Sequence, residues 1–298
     1  MAGTAEAAPV RARRARLIAE AGLLYAAAVW GSTFFIVKGV LASIHPLALV
    51  GWRFTIAAVV LGLWLVLRSP RGGRLAALLG GWKAGLSLGL ILWVLYVAQT
   101  VGLVYTSASN SGFITGLFIV FTPLAAWLLF RQRARPRHLA AVLIALGGLW
   151  LLTGGVRSAN LGDVLTLAAA VTYALHVIYA GRYMAEGLSP LALCFQQTLV
   201  IGALSLLAAP LLRVPLGAAN AGAVWIVVLL ALFPTLSAFV IQLYAQRVVD
   251  PVRTTLIFTM EPVFAALFAW TLGGEVLLPL KALGGALIVA AMLVSESG

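Results

Sequence analysis

The chain has 298 residues, 63% of them hydrophobic and only 9% charged, where an ordinary soluble domain carries roughly a quarter charged residues; with a mean hydropathy of +1.08 this excludes a water-soluble fold. The net charge of +12, from 20 Lys plus Arg against 8 Asp plus Glu, would indicate nucleic acid in a soluble protein, but in a lipid-embedded chain basic loops report orientation instead. The single Cys194 excludes an internal disulfide and a thiolate metal site.

A membrane-crossing helix needs about 20 mostly apolar residues. The sequence predicts an all-α integral membrane protein with ten such spans, near 17–40, 46–67, 83–104, 108–130, 137–154, 160–181, 189–211, 222–246, 252–272 and 279–294. Residues 1–15, Ala-rich and basic without an apolar face, read as a disordered cytoplasmic tail. Arg13-Arg14 resembles a twin-arginine export signal only superficially, because no small-residue cleavage site closes the long apolar run that follows. The longest connectors are 68–82 and 212–221, so no soluble domain is inserted.

Fifteen of the twenty basic residues gather on one side: Arg11, Arg13, Arg14 and Arg16; Arg68, Arg71, Arg74 and Lys83; Arg131, Arg133, Arg135 and Arg137; Arg182, Arg247 and Arg253. Lys38, Arg157, Arg213 and Lys281 fall on the other, and Arg53 lies within the second span. By the positive-inside rule both termini are cytoplasmic, as an even number of spans requires.

The chain also repeats itself. Ala26-Ala27-Ala28-Val29 recurs as Ala168-Ala169-Ala170-Val171, Pro46-Leu47-Ala48-Leu49 as Pro190-Leu191-Ala192-Leu193, Pro123 as Pro262, and Ala145-Leu146-Gly147-Gly148 as Ala282-Leu283-Gly284-Gly285. Each match alone is weak, but the order is kept at offsets of 137 to 144. The predicted units are 16–155 and 156–298. Five spans is an odd number, so the second copy must run through the membrane in the opposite sense. Such inverted repeats underlie many secondary transporters.

Trp30-Gly31-Ser32-Thr33-Phe34-Phe35-Ile36-Val37-Lys38, Arg53-Phe54, and Glu261-Pro262-Val263-Phe264-Ala265-Ala266 through Gly274-Glu275 resemble the ten-helix EamA branch of the drug/metabolite transporter superfamily. Within it, overall character and aromatic content are similar to the YddG-type aromatic amino-acid exporters. The resemblance covers nearly all of the chain from about residue 20. Two departures stand out. The family often closes its fourth span with an acid, where this chain has Phe130-Arg131-Gln132-Arg133 and no counterpart to Glu275. The small multidrug members couple to protons through a glutamate inside the first helix, whereas here Glu20 sits at that span's cytoplasmic end.

In lipid a polar side chain costs free energy unless it finds a partner or lines a wet cavity, so intramembrane polar groups are site candidates. Thr172, His176, Tyr179 and Tyr183 share one face of span 6, with Tyr173 adjacent. They form either a cavity stripe or an interhelical hydrogen-bond seam with an aromatic belt. Span 3 offers Trp93, Tyr96, Gln99 and Thr100; span 8 offers Thr235, Gln242 and Tyr244; span 1 offers Trp30 and Thr33. Span 4 opens with an uncharged polar run from Thr106 to Phe113, in which Asn110 and Ser111 either cap a helix or meet substrate. The resemblance implies that spans 1, 3, 4, 6, 8 and 9 surround the cavity. The substrate-binding candidates are thus Trp30, Thr33, Tyr96, Gln99, Asn110, Phe113, Tyr173, His176, Tyr179, Gln242 and Tyr244. Lys38, Arg53 and Glu261 are expected as structural charges, Glu261 being either protonated or paired. Pro123 and Pro262 each remove a helix hydrogen bond and are expected as paired hinges.

The expected function is export of small organic solutes from a bacterial inner membrane by alternating access. Amino acids with aromatic or apolar side chains are foremost, with Gln99, Asn110, His176 and Gln242 meeting the zwitterion. The alternative is a broad exporter of multiple drugs and cationic amphiphiles. No titratable cluster gathers at one membrane surface, so no enzyme is expected. His45, His138 and His176 lie in different spans or ends, so no shared metal is expected, and no cofactor. The expected partners are the lipid bilayer and a small-molecule substrate, without nucleic acid or an obligate protein partner.

Overall fold

A computed structural model describes residues 7–154, 160–271 and 278–296, and among these the chain is helical with no strand. In order come α1 (Ala7–Val40), α2 (Pro46–Arg68), α3 (Arg74–Leu79), α4 (Trp82–Tyr105), α5 (Ala108–Gly116), α6 (Phe118–Phe130), α7 (Pro136–Thr153), α8 (Leu161–Ala185), α9 (Pro190–Leu211), α10 (Ala221–Leu230), a π-helical turn (Ala231–Ser237), α11 (Ala238–Ala245), α12 (Pro251–Phe258), α13 (Met260–Thr271) and α14 (Pro279–Glu296). Eight helical stretches are long and apolar enough to cross a membrane. The remaining expected spans are helical too, but Pro251–Thr271 is interrupted at Thr259 and Pro279–Val294 is shorter.

The helix starts are written in the sequence. Proline opens α2, α7, α9, α12 and α14, where its missing amide removes no hydrogen bond and its fixed φ suits the first turn. Side chains of His45, Ser107, Asn160, Ser189, Asn220 and Asp250 accept hydrogen bonds from amides of the first turns that follow, satisfying donors a helix start leaves free. His45 accepts from the Leu47 amide at 3.2 Å through Nδ1, and burial holds its imidazole below the usual value, which favours the neutral ring.

One boundary needs correcting. The helix α1 begins at Ala7, so residues 7–15 are not the disordered tail expected; Ala and Arg are strong helix formers and continue the first span outward, while Pro9 sits within the first turn, where it is tolerated. The span expected at 108–130 breaks at Leu117 and its repeat mate at Thr259, in nearly the same conformation: φ −63° and ψ −10° at Leu117, φ −63° and ψ −8° at Thr259. Pro123 and Pro262 follow within a few residues, each withholding an amide from the carbonyl four residues earlier.

The helices pack in a pattern that maps onto itself when the two halves of the chain are exchanged. Helix α2 lies along its mate α9, and α7 along its mate α14. Likewise α4 packs on α8 as α11 and the π turn pack on α1, and α1 meets α12 and α13 as α8 meets α5 and α6. The α7–α14 crossing is set by glycine: a methyl group on Gly148 would lie 2.7 Å from the Gly284 carbonyl oxygen, and one on Gly284 2.6 Å from that of Gly148. Small residues let backbones approach this closely in lipid, where packing rather than water expulsion holds helices together. Phe35, Leu67, Leu143, Leu211 and Trp225 point outward and are exposed, as a lipid-facing surface requires.

Candidate functional site

Where α1, α4, α8, α11 and α13 converge, a cavity of about 30 Å³ is lined by Trp30, Thr33, Phe34, Leu92, Leu95, Tyr96, Gln99, Tyr173, Phe239 and Glu261. That volume holds no more than a couple of water molecules, too little for a bound organic solute. Its walls are a continuous aromatic array. Trp30 packs on Phe239 at 5.3 Å, Phe258 at 5.0 Å and Tyr173 at 6.2 Å between ring centres; Phe54 meets Tyr96 at 4.6 Å, and Phe118 meets Tyr173 at 4.6 Å. Edge-to-face and tilted pairs of this kind suit the ring quadrupole.

Into this apolar cage project a few polar groups. The Tyr173 hydroxyl donates to Glu261 Oε1 at 2.8 Å, and both residues are buried. Glu261 is placed by the start of α13, against which α1 can lie only because residue 31 is glycine: a methyl group there would run into the Glu261 carbonyl and meet the Ala265 nitrogen at 3.1 Å. Arg53, buried in α2, donates from Nε to Thr235 Oγ1. Its guanidinium carbon lies 5.1 Å from the centre of the Tyr96 ring and 5.4 Å from that of Phe54.

The π turn is the second feature of the site. Trp30 Nε1 donates to the Pro234 carbonyl, and Thr235 donates back to the Leu230 carbonyl at 2.8 Å. Pro234 supplies no amide of its own, and the widened turn carries Thr235 to Arg53. π-Helical turns are rare and concentrate at functional sites. On the outer side of α1 and the π turn lies a groove of about 640 Å³, lined by Ser32, Phe35, Ile36, Ile226, Phe233 and Pro234 among others. The first helix and the π turn thus stand between the central cavity and this outer groove.

Of the sequence candidates, Trp30, Thr33, Tyr96, Gln99 and Tyr173 line the cavity together with Glu261. Gln99 also donates to Thr115 at 3.1 Å. His176 stands one layer behind, edge-on to Phe239 and bonded to Gln197 Oε1 at 3.1 Å. Gln242 donates to Gln246, which donates to the Val177 carbonyl. His176 Nδ1, Gln197 Nε2 and Gln242 Oε1 are buried without a hydrogen bond. Asn110 sits in the first turn of α5, where its amide bonds to the cap Ser107. Phe113 packs on Trp150. Tyr179 contacts Phe130 and Tyr183. Tyr244 is exposed beneath Arg247. Pro123 is buried inside α6, and Pro262 falls in the first turn of α13. Lys38 reaches the carbonyls of Leu103 and Thr106 at the end of α4. Gly274 and Glu275 lie outside the described residues.

The sequence reading did not single out Phe34, Leu92, Leu95 and Phe239, because apolar side chains facing a cavity look like core. It also passed over Pro234, although a proline in mid-span beside a threonine is a usable signal.

A family model described as the EamA-like transporter family matches residues 17–154 and again 160–296. An uncharacterized transporter of Archaeoglobus fulgidus is 31% identical over 281 residues, spanning 94% of this chain and 86% of its own. The uncharacterized inner membrane transporter YedA of Escherichia coli is 28% identical over 275 residues, covering 90% of this chain and 87% of its own. A protein of known crystal structure superposes with a TM-score of 0.76 at 23% identity over 95% of both chains, a likeness of fold.

Proposed function

The chain belongs to the EamA-like transporter family and is a multi-pass membrane protein, and from that premise we propose that it exports small organic solutes, foremost amino acids with aromatic or apolar side chains, by alternating access through the central cavity. In this reading the ten helical segments all cross the inner membrane of a bacterium, both termini face the cytoplasm, and the units 16–155 and 156–298 are inverted five-helix repeats. The exchange symmetry of the packing supports the repeat. So do the matched breaks at Leu117 and Thr259, since discontinuous helices at a repeat interface are where such carriers build their sites. The observation that carries the substrate class is the cage of Trp30, Tyr96, Tyr173 and Phe239 around a single carboxylate. Aromatic faces stack on rings and attract ammonium groups.

That same carboxylate favours a second reading, export of cationic amphiphiles, which would use Glu261 and the cage alone. The test is counterflow in proteoliposomes: purified protein is expected to accumulate labelled phenylalanine when the lumen holds unlabelled phenylalanine. Accumulation no greater than in protein-free liposomes, for every amino acid tried, overturns the proposal. Competition by quaternary ammonium dyes stronger than by any amino acid would favour the second reading.

A further inference from the structure

Glu261 lines the central cavity and Arg53 lies behind the Tyr96 ring that lines it, each only 4% exposed. They make no ion pair with each other; both ion pairs found among the described residues are on Glu20. Glu261 is held by one neutral donor, the Tyr173 hydroxyl. Arg53 spends Nε on Thr235 and stacks on two rings, while its Nη2 makes no hydrogen bond. Tyr96 is the side chain common to both: its ring faces the guanidinium at 5.1 Å and lines the cavity alongside Glu261.

A buried charge is costly unless paired and hydrogen-bonded, and an opposite pair recovers that cost only by direct contact. Here a carboxyl group in the cavity wall and a guanidinium behind the Tyr96 ring lie on separate helices, each with donor or acceptor capacity left over. A molecule carrying both charges on neighbouring atoms is their natural complement. The neutral groups expected from sequence to meet a zwitterion are less well placed. His176 is bonded to Gln197 and Gln242 to Gln246, Asn110 is in the first turn of α5, and Gln99 already donates to Thr115.

We propose that Arg53 and Glu261 form a split site for an α-amino acid, Glu261 receiving the ammonium group and Arg53 Nη2 the carboxylate, with the Tyr96 ring displaced as the substrate enters. The substrate side chain then lies against Trp30, Tyr173 and Phe239. This rests on the reading of the cavity as the transport site, and it departs from the expectation that both charges are structural. A lone cation gains from Glu261 but meets the positive guanidinium once the Tyr96 ring has moved aside. An amine without a carboxylate is therefore the poorer ligand.

The experiment uses the intact protein in proteoliposomes with three unlabelled competitors of phenylalanine flux: phenylalanine itself, phenethylamine, which lacks the carboxylate, and 3-phenylpropionate, which lacks the ammonium group. For wild type, phenylalanine is expected to compete at least about tenfold better than either analogue, the discrimination of one charged hydrogen bond. Arg53→Gln should weaken phenylalanine about tenfold or more and leave phenethylamine competition undiminished or stronger, since the repelling positive charge is gone. Glu261→Gln should weaken phenylalanine and phenethylamine but not phenylpropionate. Where a glutamine variant fails to fold, Arg53→Lys and Glu261→Asp are read in the same way, with stabilisation of the purified protein by each ligand as a second measure. Equal losses for all three ligands in folded variants, or phenethylamine competing as well as phenylalanine in wild type, would overturn the split site while leaving transport intact. No amino-acid flux and no stabilisation by phenylalanine in wild type would overturn the underlying reading as well.

Discussion

Glu20 in α1 accepts a hydrogen bond from Arg253 Nε of α12 at 2.7 Å, and a second from Arg16 at 2.8 Å; this ties the first helix to the start of the ninth expected span. At the opposite end of the molecule Asp163, in the first turn of α8, accepts from the Thr106 hydroxyl at 2.6 Å, just before the start of α5. The two contacts correspond. Asp163 follows Glu20, and the cap Asp250 follows the cap Ser107, at one common offset of 143 residues. Each end is therefore fastened by an acid in the first helix of one half, bonded to the start of the fourth span of the other half. One fastening is an ion pair and the other is a hydroxyl on a carboxylate, reinforced by Lys38 on the carbonyls ending α4.

If Glu20 and Arg253 close their end of the cavity, Glu20→Gln should open it. The native Cys194 is fully buried, so a cysteine placed at Thr33 reports cavity access to a membrane-impermeant maleimide. Glu20→Gln is expected to raise the labelling rate from the side on which α1 begins several-fold and to cost about 1–3 kcal/mol of stability, through loss of charge at a buried guanidinium's partner. The reversal Glu20→Arg with Arg253→Glu should restore slow labelling. Unchanged labelling in the single variant would show that the pair holds helices without gating.

The opposite end should respond from the opposite side. Thr106→Val removes the hydroxyl that Asp163 accepts while sparing the capping box that Asp163 forms with Asn160. Faster labelling of the same cavity cysteine from the Lys38 side, with none from the other, is the expected result. A hydrogen bond to a charged group is worth about 1.5–3 kcal/mol, which sets the upper limit for the shift between the two closed ends.

The π turn gives a separable prediction. Thr235→Val leaves Arg53 Nε without its acceptor in a buried setting, and should lower the melting temperature of the purified protein by an amount equivalent to about 1–3 kcal/mol. Pro234→Ala returns an amide to the backbone and permits an ordinary α-helical turn, so it should keep or raise stability while slowing flux. A variant equal to wild type in both measurements would mean that the π turn has no part in movement.

Glycine packing between α7 and α14 is tested by a matched pair of variants. Gly148→Ala forces a methyl group against the Gly284 carbonyl, whereas Gly147 has nothing within 4 Å of an added methyl. Overpacking of this kind costs about 1–3 kcal/mol. Gly148→Ala should therefore melt at a lower temperature, and Gly147→Ala should melt close to wild type.

Much of this was legible in the sequence because lipid simplifies the code. Apolar runs punctuated by Pro46, Pro136, Pro190, Pro251 and Pro279 mark where helices begin, and a polar residue in such a run has few roles open to it. Trp30, Thr33, Tyr96, Gln99 and Tyr173 stand out in the sequence for that reason, and all line one cavity. Tyr244 and Tyr179 share the composition of cavity residues but not their position, and helical spacing alone does not say which neighbour a face meets. Phe239 and Leu95 were invisible because a cavity wall and a core use the same side chains. Glu20 and Arg253 read as a helix-end acid and a loop cation; their pairing joins residues far apart in sequence and becomes visible only once α1 lies against α12.

The most direct test of the central claim, that the aromatic cavity is the transport path, is protection of the Thr33→Cys variant from a membrane-impermeant thiol reagent by phenylalanine. The account predicts labelling from both sides of the membrane in turn, slowed from either side when phenylalanine is present. Labelling that is unaffected by phenylalanine, in a variant that still moves it, would contradict the account.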